Sequence, residues 1–445
     1  MTSVPLGLRI YRGLATLAGA AGWPYLYWRL RRRGYGTSFR PRLGLELPAV
    51  PPVNGQPRIW LHGVSVGEIA GAAPLVQELH ARQPQAHFMF STGTETGQAV
   101  AQRSYGQMGV VFYYPLDVSW TVRRLLDRVQ PWLYVALETE IWPNFLLAAK
   151  ARGIKLALVN GRLSEKSFRN YLKFKHHLAY LLNLFDVIGA GSPEDQERFT
   201  ALGADPCRLV CTGNTKFDRW PDDAAQERLK VYRQYLRLGS EPVFLAASTH
   251  PGEEEIIIQA YQELRRSTPA LLLLLAPRHP ERAPVVSKLL EAAGLRWQSW
   301  QHLKQENQNR QSPVILIDTV GELFSLYGLA DVVFVGGSLV PHGGQNILEP
   351  AVWGKVPLYG PFVQNFRAAQ ILLEKVQAGV QVSDGRSFIA AARQCLAHPE
   401  EMRRRGSQGL QKLQINRGAA QRQAELLLPL LTPLGHPTDR VPCQS

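Results

Sequence analysis

The run Val332-Val333-Phe334-Val335 ends in Gly336-Gly337-Ser338, and a few residues later Gly343-Gly344-Gln345-Asn346-Ile347-Leu348-Glu349-Pro350 opens a new segment. Four apolar residues closed by a Gly pair read as a buried strand and its exit turn. The second Gly pair reads as the entry to a helix carrying a carboxylate. Backbone without Cβ atoms can approach a phosphate closely, and free N–H groups at a helix start favour an anion. A Glu one turn in, Glu349, is placed to reach a ribose hydroxyl pair. This pattern suits a nucleotide-sugar donor.

Working outward, the strand–loop–helix unit recurs. Apolar runs at 59–61, 88–90, 110–113, 133–137, 156–159 and 187–190 are followed by a second series at 243–247, 271–276, 314–317, 332–335 and 356–359. Helix-period segments such as 70–82 and 122–128 lie between them. Alternation of this kind predicts parallel sheets with right-handed crossovers. The expected architecture is α/β, two Rossmann-like domains facing across a cleft, with ligands at the carboxyl ends of the strands. The boundaries read as a basic, membrane-associating segment at 1–45, a first domain at 50–218, a polar linker at 219–240, a second domain at 241–425 and a tail at 426–445. From Pro429 the composition predicts poor order. A chain of 445 residues is too long for one hydrophobic core, which agrees with this division.

The net charge of +14 is unevenly spread. Residues 1–50 contain eight arginines (Arg9, Arg12, Arg29, Arg31, Arg32, Arg33, Arg40, Arg42) against one acid, Glu46. No charge occurs from Gly13 to Trp28, and Trp23, Tyr25, Tyr27 and Trp28 gather before the arginine cluster. The stretch is short for a span of about 20 apolar residues and is interrupted by Gly19, Gly22 and Pro24. Interfacial aromatic rings with arginines against anionic lipid predict a segment lying on the membrane, with its charge on the cytoplasmic side. Nucleic acid is not an expected partner, because the arginines interleave with an apolar segment instead of a recognition helix. Cys207, Cys211, Cys395 and Cys443 have no zinc-type spacing and are expected as free thiols.

Several motifs at strand ends carry polar groups. Ser65 and Glu68 follow the first strand; Glu68 reads either as a general base beside helix N–H groups or as the partner in a capping box with Ser65. Thr94 lies in a hydroxyl-rich turn that N-capping largely explains. Glu138 and Glu140, beside Trp142, are costly to bury without a role and are candidate substrate contacts. Lys216 precedes the linker, Ser248 follows the first strand of the second series, and Arg278 and His279 follow another. A guanidinium at a strand end is a good phosphate ligand. No D-x-D cluster suited to a metal-bridged diphosphate is present.

The motifs HGVSVGE (62–68), STGTETG (91–97), ETEIWPN (138–144), VNGRLSEKS (159–167), GNTKFD (213–218), APRHPER (276–282), DTVGEL (318–323) and GGSLVPHGGQNILEPA (336–351) occur in order along the chain. Together they resemble the 3-deoxy-D-manno-octulosonic acid (Kdo) transferase family, from the amino-terminal segment to about residue 380. The resemblance implies a GT-B glycosyltransferase at the cytoplasmic face of the cell inner membrane. It would move Kdo from CMP-Kdo to a lipid A precursor (lipid IVA), with inversion and without metal or other cofactor. The family's base maps onto Glu68. Its donor-binding elements map onto Arg278, His279, Gly336, Gly337, Ser338, Asn346 and Glu349, with Lys216 and Ser248 in adjoining motifs. The alternatives are a related GT-B enzyme using a UDP-sugar, a nucleotide-sugar epimerase, or a non-catalytic membrane adaptor.

Overall fold

A computed structural model describes residues 4–32, 38–52, 55–305 and 309–431. It divides into two compact units: one comprises the chain up to Asp218 together with the stretch from Asn416, the other is Arg219–Ile415.

The first unit holds a seven-stranded sheet of β1 (Arg58–Gly63), β2 (His87–Thr92), β3 (Gly109–Tyr113), β4 (Leu133–Leu137), β5 (Lys155–Gly161), β6 (Val187–Ala190) and β7 (Leu209–Cys211), in the order β3-β2-β1-β4-β5-β6-β7. Every pairing is parallel. Burial on both faces explains why the strands read as unbroken apolar runs. On β1, Ile59 and Leu61 enter one core layer and Trp60 the other; on β4, Leu133, Val135 and Leu137 alternate in the same way with Tyr134 and Ala136.

The second unit repeats the design with β8 (Val243–Thr249), β9 (Leu272–Pro277), β10 (Trp297–Ser299), β11 (Val314–Leu316), β12 (Val332–Val335), β13 (Pro357–Tyr359) and β14 (Val380–Gln381), in the order β10-β11-β9-β8-β12-β13-β14. Each sheet reverses its winding once, between β1 and β4 and between β8 and β12. Loops leaving those strands diverge to opposite faces, which opens a ligand-sized crevice at the carboxyl ends.

Several boundaries differ from the sequence reading. The segment 70–82 is two helices, Val66–Gly71 and Ala73–Arg82, because Pro74 starts a new helix in its first turn. The presumed linker 219–240 is mostly the helix Asp223–Tyr235, capped by Asp222 and packed within the second unit through Ala225 and Tyr232. Residues 416–425, assigned above to the second domain, belong to the first unit. There the helix Ala419–Leu427 places Ala420, Ala424 and Leu427 in the core with Ile59 and Leu61. Of the presumed tail, Leu426 and Leu427 end that helix, Leu428–Leu431 forms a turn with Leu431 buried, and the residues beyond Leu431 lie outside the described residues.

The amino-terminal segment is one helix, Leu6–Arg32, unbroken at Gly19, Gly22 and Pro24. Leu8 is buried on the first unit, while Leu6, Ile10, Leu14 and Leu17 are exposed. No described helix is long and apolar enough to cross a membrane. The aromatic and arginine side chains from Trp23 to Arg33 lie outside the described residues. Cys211 and Cys395 are free thiols, as expected. Cys207, in an exposed turn, is not: it is disulfide-bonded.

Candidate active site

In the first unit the polar residues collect at the ends of β1 and β4. The helix Val66–Gly71 begins where Ser65 leaves the strand with extended backbone, and its hydroxyl accepts from the Glu68 N–H. The Glu68 carboxylate turns back on the same loop. One oxygen accepts from the Val64 N–H at 2.7 Å, the other from the Ser65 hydroxyl at 2.7 Å. The capping reading is therefore realised in part, although Glu68 reaches the Val64 amide and not that of Ser65. Burial pushes the Glu68 carboxyl above the ordinary carboxylate range; the two hydrogen bonds and Lys216 pull it down, and Glu138 pushes it further up.

Glu138 is the first residue beyond β4 and holds φ at 59°, a conformation that non-glycine residues adopt only where surroundings impose it. Its N–H donates to Val159 O at 2.8 Å, and its carboxylate accepts from Lys216 Nζ at 2.5 Å. The Lys216 stem crosses Gly71, where a Cβ would lie 2.9 Å from its Cγ. Lys216, read above as a donor contact preceding the linker, lies in the first unit as the 50–218 boundary implies, with its ammonium paired to Glu138. Glu140 accepts from Trp142 Nε1 at 2.9 Å. Burial, and then the charge of Glu68, push its carboxyl from 4.5 to about 7. Thr94 caps the helix Glu95–Tyr105 by accepting from the Gly97 N–H at 3.0 Å, and its hydroxyl also donates to Val64 O at 3.3 Å. It thus buttresses the loop that carries Glu68.

In the second unit the corresponding groups lie at the ends of β8 and β12. Gly336 packs against β8 so closely that a Cβ would stand 2.4 Å from Ser248 O, and Gly337 has φ +66°. The turn has the form expected of an anion cradle, but its amides are already occupied. The N–H groups of Gly337, Ser338 and Leu339 donate to the carboxylate of Glu253, at 2.7, 3.0 and 2.9 Å. The expectation that Gly337 and Ser338 offer backbone N–H groups to a phosphate is corrected accordingly: the anion they hold is an internal carboxylate. The helix expected after Gly344 is a single turn, Leu348–Ala351, in which Asn346 Oδ1 accepts from the Leu348 N–H. Glu349 pairs with Arg219 at 2.6 Å. Burial raises the Glu349 carboxyl, against the lowering effects of Arg219, Asn346 and Arg278.

Above this floor sits a cluster of imidazoles beside Arg278. The His250 ring stacks on His342 with centroids 4.3 Å apart and lies 6.2 Å from His279. Burial, then the neighbouring imidazoles and Arg278 and Arg282, lower His250 to about 4. The Arg278 N–H ties to Thr249 O at 2.9 Å, and no described side chain hydrogen-bonds or ion-pairs with its guanidinium. Ser248 holds φ at 53°, a second constrained residue at a strand exit. Sequence reasoning missed His250, Glu253 and Arg219. The first two share the motif 248–253, whose signal was the hydroxyl-rich turn; Arg219 stands in a polar stretch with nothing to mark it.

Comparison with known proteins identifies relatives of the chain. A family model described as 3-deoxy-D-manno-octulosonic-acid transferase (kdotransferase) matches residues 37–219. The chain is 37% identical over 382 residues to a 3-deoxy-D-manno-octulosonic acid transferase of Haemophilus influenzae, covering 86% of this chain and 88% of that protein. It is 34% identical over 406 residues to that of Bordetella pertussis, covering 87% and 92%. Among solved structures, a UDP-GlcNAc 2-epimerase from Neisseria meningitidis bound to UDP-GlcNAc superposes with a TM-score of 0.55 at 14% identity, over 84% of this chain and 100% of that one. That likeness speaks to fold alone, and the two parallel α/β sheets are those expected from the strand pattern.

Proposed function

Since the chain belongs to the 3-deoxy-D-manno-octulosonic acid transferase family and is a glycosyltransferase, we propose that it transfers Kdo from CMP-Kdo to a lipid A precursor with inversion, Glu68 serving as the base. The observation that carries the reading is the setting of Glu68. It stands at the winding reversal of the first sheet, is partly desolvated, and has each oxygen oriented by one hydrogen bond from its own loop. A carboxylate held in this way keeps further lone pairs for an acceptor hydroxyl.

In the proposed step the acceptor hydroxyl gives its proton to Glu68 while its oxygen bonds to the anomeric carbon. The bond from that carbon to the phosphate oxygen breaks on the opposite face, and CMP leaves with the electron pair. A nucleoside monophosphate is a stable leaving group, so the reading assigns no general acid and no cofactor. Arg278 supplies positive charge for one phosphate, and the imidazoles of His250, His279 and His342 supply ring N–H donors beside it. Asn346 and Glu349 are assigned to the nucleoside, and Glu138, Glu140 and Lys216 to the acceptor side.

The proposed location is the cytoplasmic face of the inner membrane. Leu6, Ile10, Leu14 and Leu17 recur at helical spacing on the exposed side of the first helix, within a strongly basic segment. An apolar stripe of this kind suits anionic lipid and an acceptor that stays in the bilayer.

The test is Glu68→Gln in the full-length protein, with CMP-Kdo and tetraacylated lipid A precursor, reading product mass. Turnover should fall by about 10²-fold or more, as is usual when a general base is lost, while CMP binding persists. Near-normal turnover of the folded variant would reduce Glu68 to a cap. Preference for UDP over CMP in calorimetry would favour a UDP-sugar enzyme instead.

A further inference from the structure

Glu253 is a fully buried carboxylate outside the residues assigned above, and both of its oxygens are saturated by backbone. Oε2 accepts from the His250 N–H at 2.9 Å and the Gly337 N–H at 2.7 Å; Oε1 accepts from Ser338 at 3.0 Å and Leu339 at 2.9 Å. One donor belongs to the loop leaving β8 and three to the loop leaving β12. A single side chain therefore staples the two strands between which the second sheet reverses its winding.

Four further contacts connect that staple to the imidazole cluster. Gly337 lies against the His250 ring, where a Cβ would come within 3.2 Å of its Cδ2. Gln345 Nε2 meets His250 Nε2 at 3.3 Å, and the Gln345 N–H is held by Gly336 O at 3.2 Å. His342, on the same loop as the glycines, stacks on His250. Moving the turn at 337–339 therefore displaces both imidazoles.

We propose that Glu253 is a positioning residue of the donor site: its carboxylate, not the donor phosphate, is the anion held by the amides of Gly337, Ser338 and Leu339, and it thereby sets His250 and His342 where the phosphate is met by side chains. The proposal rests on the reading that this end of the second sheet takes a CMP-sugar. Its consequence is selectivity. An amide cradle already filled offers nothing to a second phosphate, so the site is matched to one.

The experiment uses the full-length protein and two variants, Glu253→Gln and Glu253→Asp. Gln presents an NH₂ to amide donors, and Asp keeps the charge but is one methylene too short to serve both loops. The expected result is a donor KM raised about 10-fold or more in the Gln variant and less in the Asp variant, with the acceptor KM unchanged. A merely structural role would lower the active fraction, and with it kcat, leaving the donor KM in place; that outcome overturns the proposal. Should neither variant fold, hydrogen exchange on the unaltered protein decides. The amides of residues 337–339 should be protected without ligand and unchanged by CMP, whereas protection arising only with CMP would assign them to the phosphate. Failure of the unaltered protein to bind CMP would fell the donor reading, and is distinct from CMP binding with donor KM unmoved in both variants.

Discussion

Glu140 provides a test of the electrostatics at the first unit's site that does not depend on assaying turnover. Its carboxyl is buried beside Glu68 and Glu138 and accepts one bond, from Trp142. The displacement from 4.5 to about 7 corresponds to about 3 kcal/mol of preference for the neutral acid, at roughly 1.4 kcal/mol per pH unit. The side chain keeps partial contact with solvent, which reduces the expected effect to on the order of 2 kcal/mol. The sign follows from proton counts. Below pH 4.5 both folded and unfolded states carry the proton; between about 4.5 and 7 the unfolded chain releases it first, so stability falls as pH rises, and above 7 the penalty is complete. Gln mimics the neutral acid and can still accept from Trp142. In urea denaturation, Glu140→Gln should match the unaltered protein near pH 4 and exceed it by on the order of 2 kcal/mol at pH 8. A difference independent of pH, or a less stable variant at pH 8, would refute the assignment of desolvation and like charge as the dominant forces there.

The remaining predictions concern neighbouring groups. Because burial raises the Glu68 carboxyl, turnover should decline on the acid side at a pH above the ordinary carboxylate range, and Glu68→Gln should abolish that limb of the pH–rate profile. Thr94→Ala removes the N-cap of Glu95–Tyr105 and should cost about 1 kcal/mol in denaturant melts; unchanged stability with lost turnover would make Thr94 a ligand instead. Replacing Ile10, Leu14 and Leu17 together by Asp alters only exposed positions and should move the protein from the membrane to the soluble fraction with CMP affinity intact. Continued sedimentation with membranes would point to another docking surface.

The sheets were legible because parallel strands covered on both faces read as continuous apolar runs. The strands missed were β7, β10 and β14, three, three and two residues long and only partly buried, so they offer no run to read. The stretch 219–240 reads as an interdomain linker or a linking helix, and the packing of the helix 223–235 within the second unit was not legible because its buried positions, Ala225 and Tyr232, are few among charged neighbours. At the site, glycines and carboxylates at strand exits were visible, since type and position alone imply a turn or a ligand. What occupies the cradle at Gly337 was not, because Glu253 lies 84 residues earlier and only the pairing of β8 with β12 brings the two together. Likewise, nothing local in Lys216 or Glu138 announces their ion pair, which spans 78 positions.

The helix Ala419–Leu427 is fastened to the first unit by Asp218, which accepts from the Gly418 and Ala420 N–H groups, and by Gln423, which donates to Asn160 and Gly213. Its side chains complete the core around β1. The second unit is thus an insertion in the covalent order of the first. During translation, Arg219–Ile415 has its whole complement of strands available before the first unit receives its closing helix. The amino-terminal sheet must then wait on the ribosome with part of one apolar face uncovered, and a stop codon placed just after Asp218 would yield a fragment prone to aggregate instead of an isolated first domain.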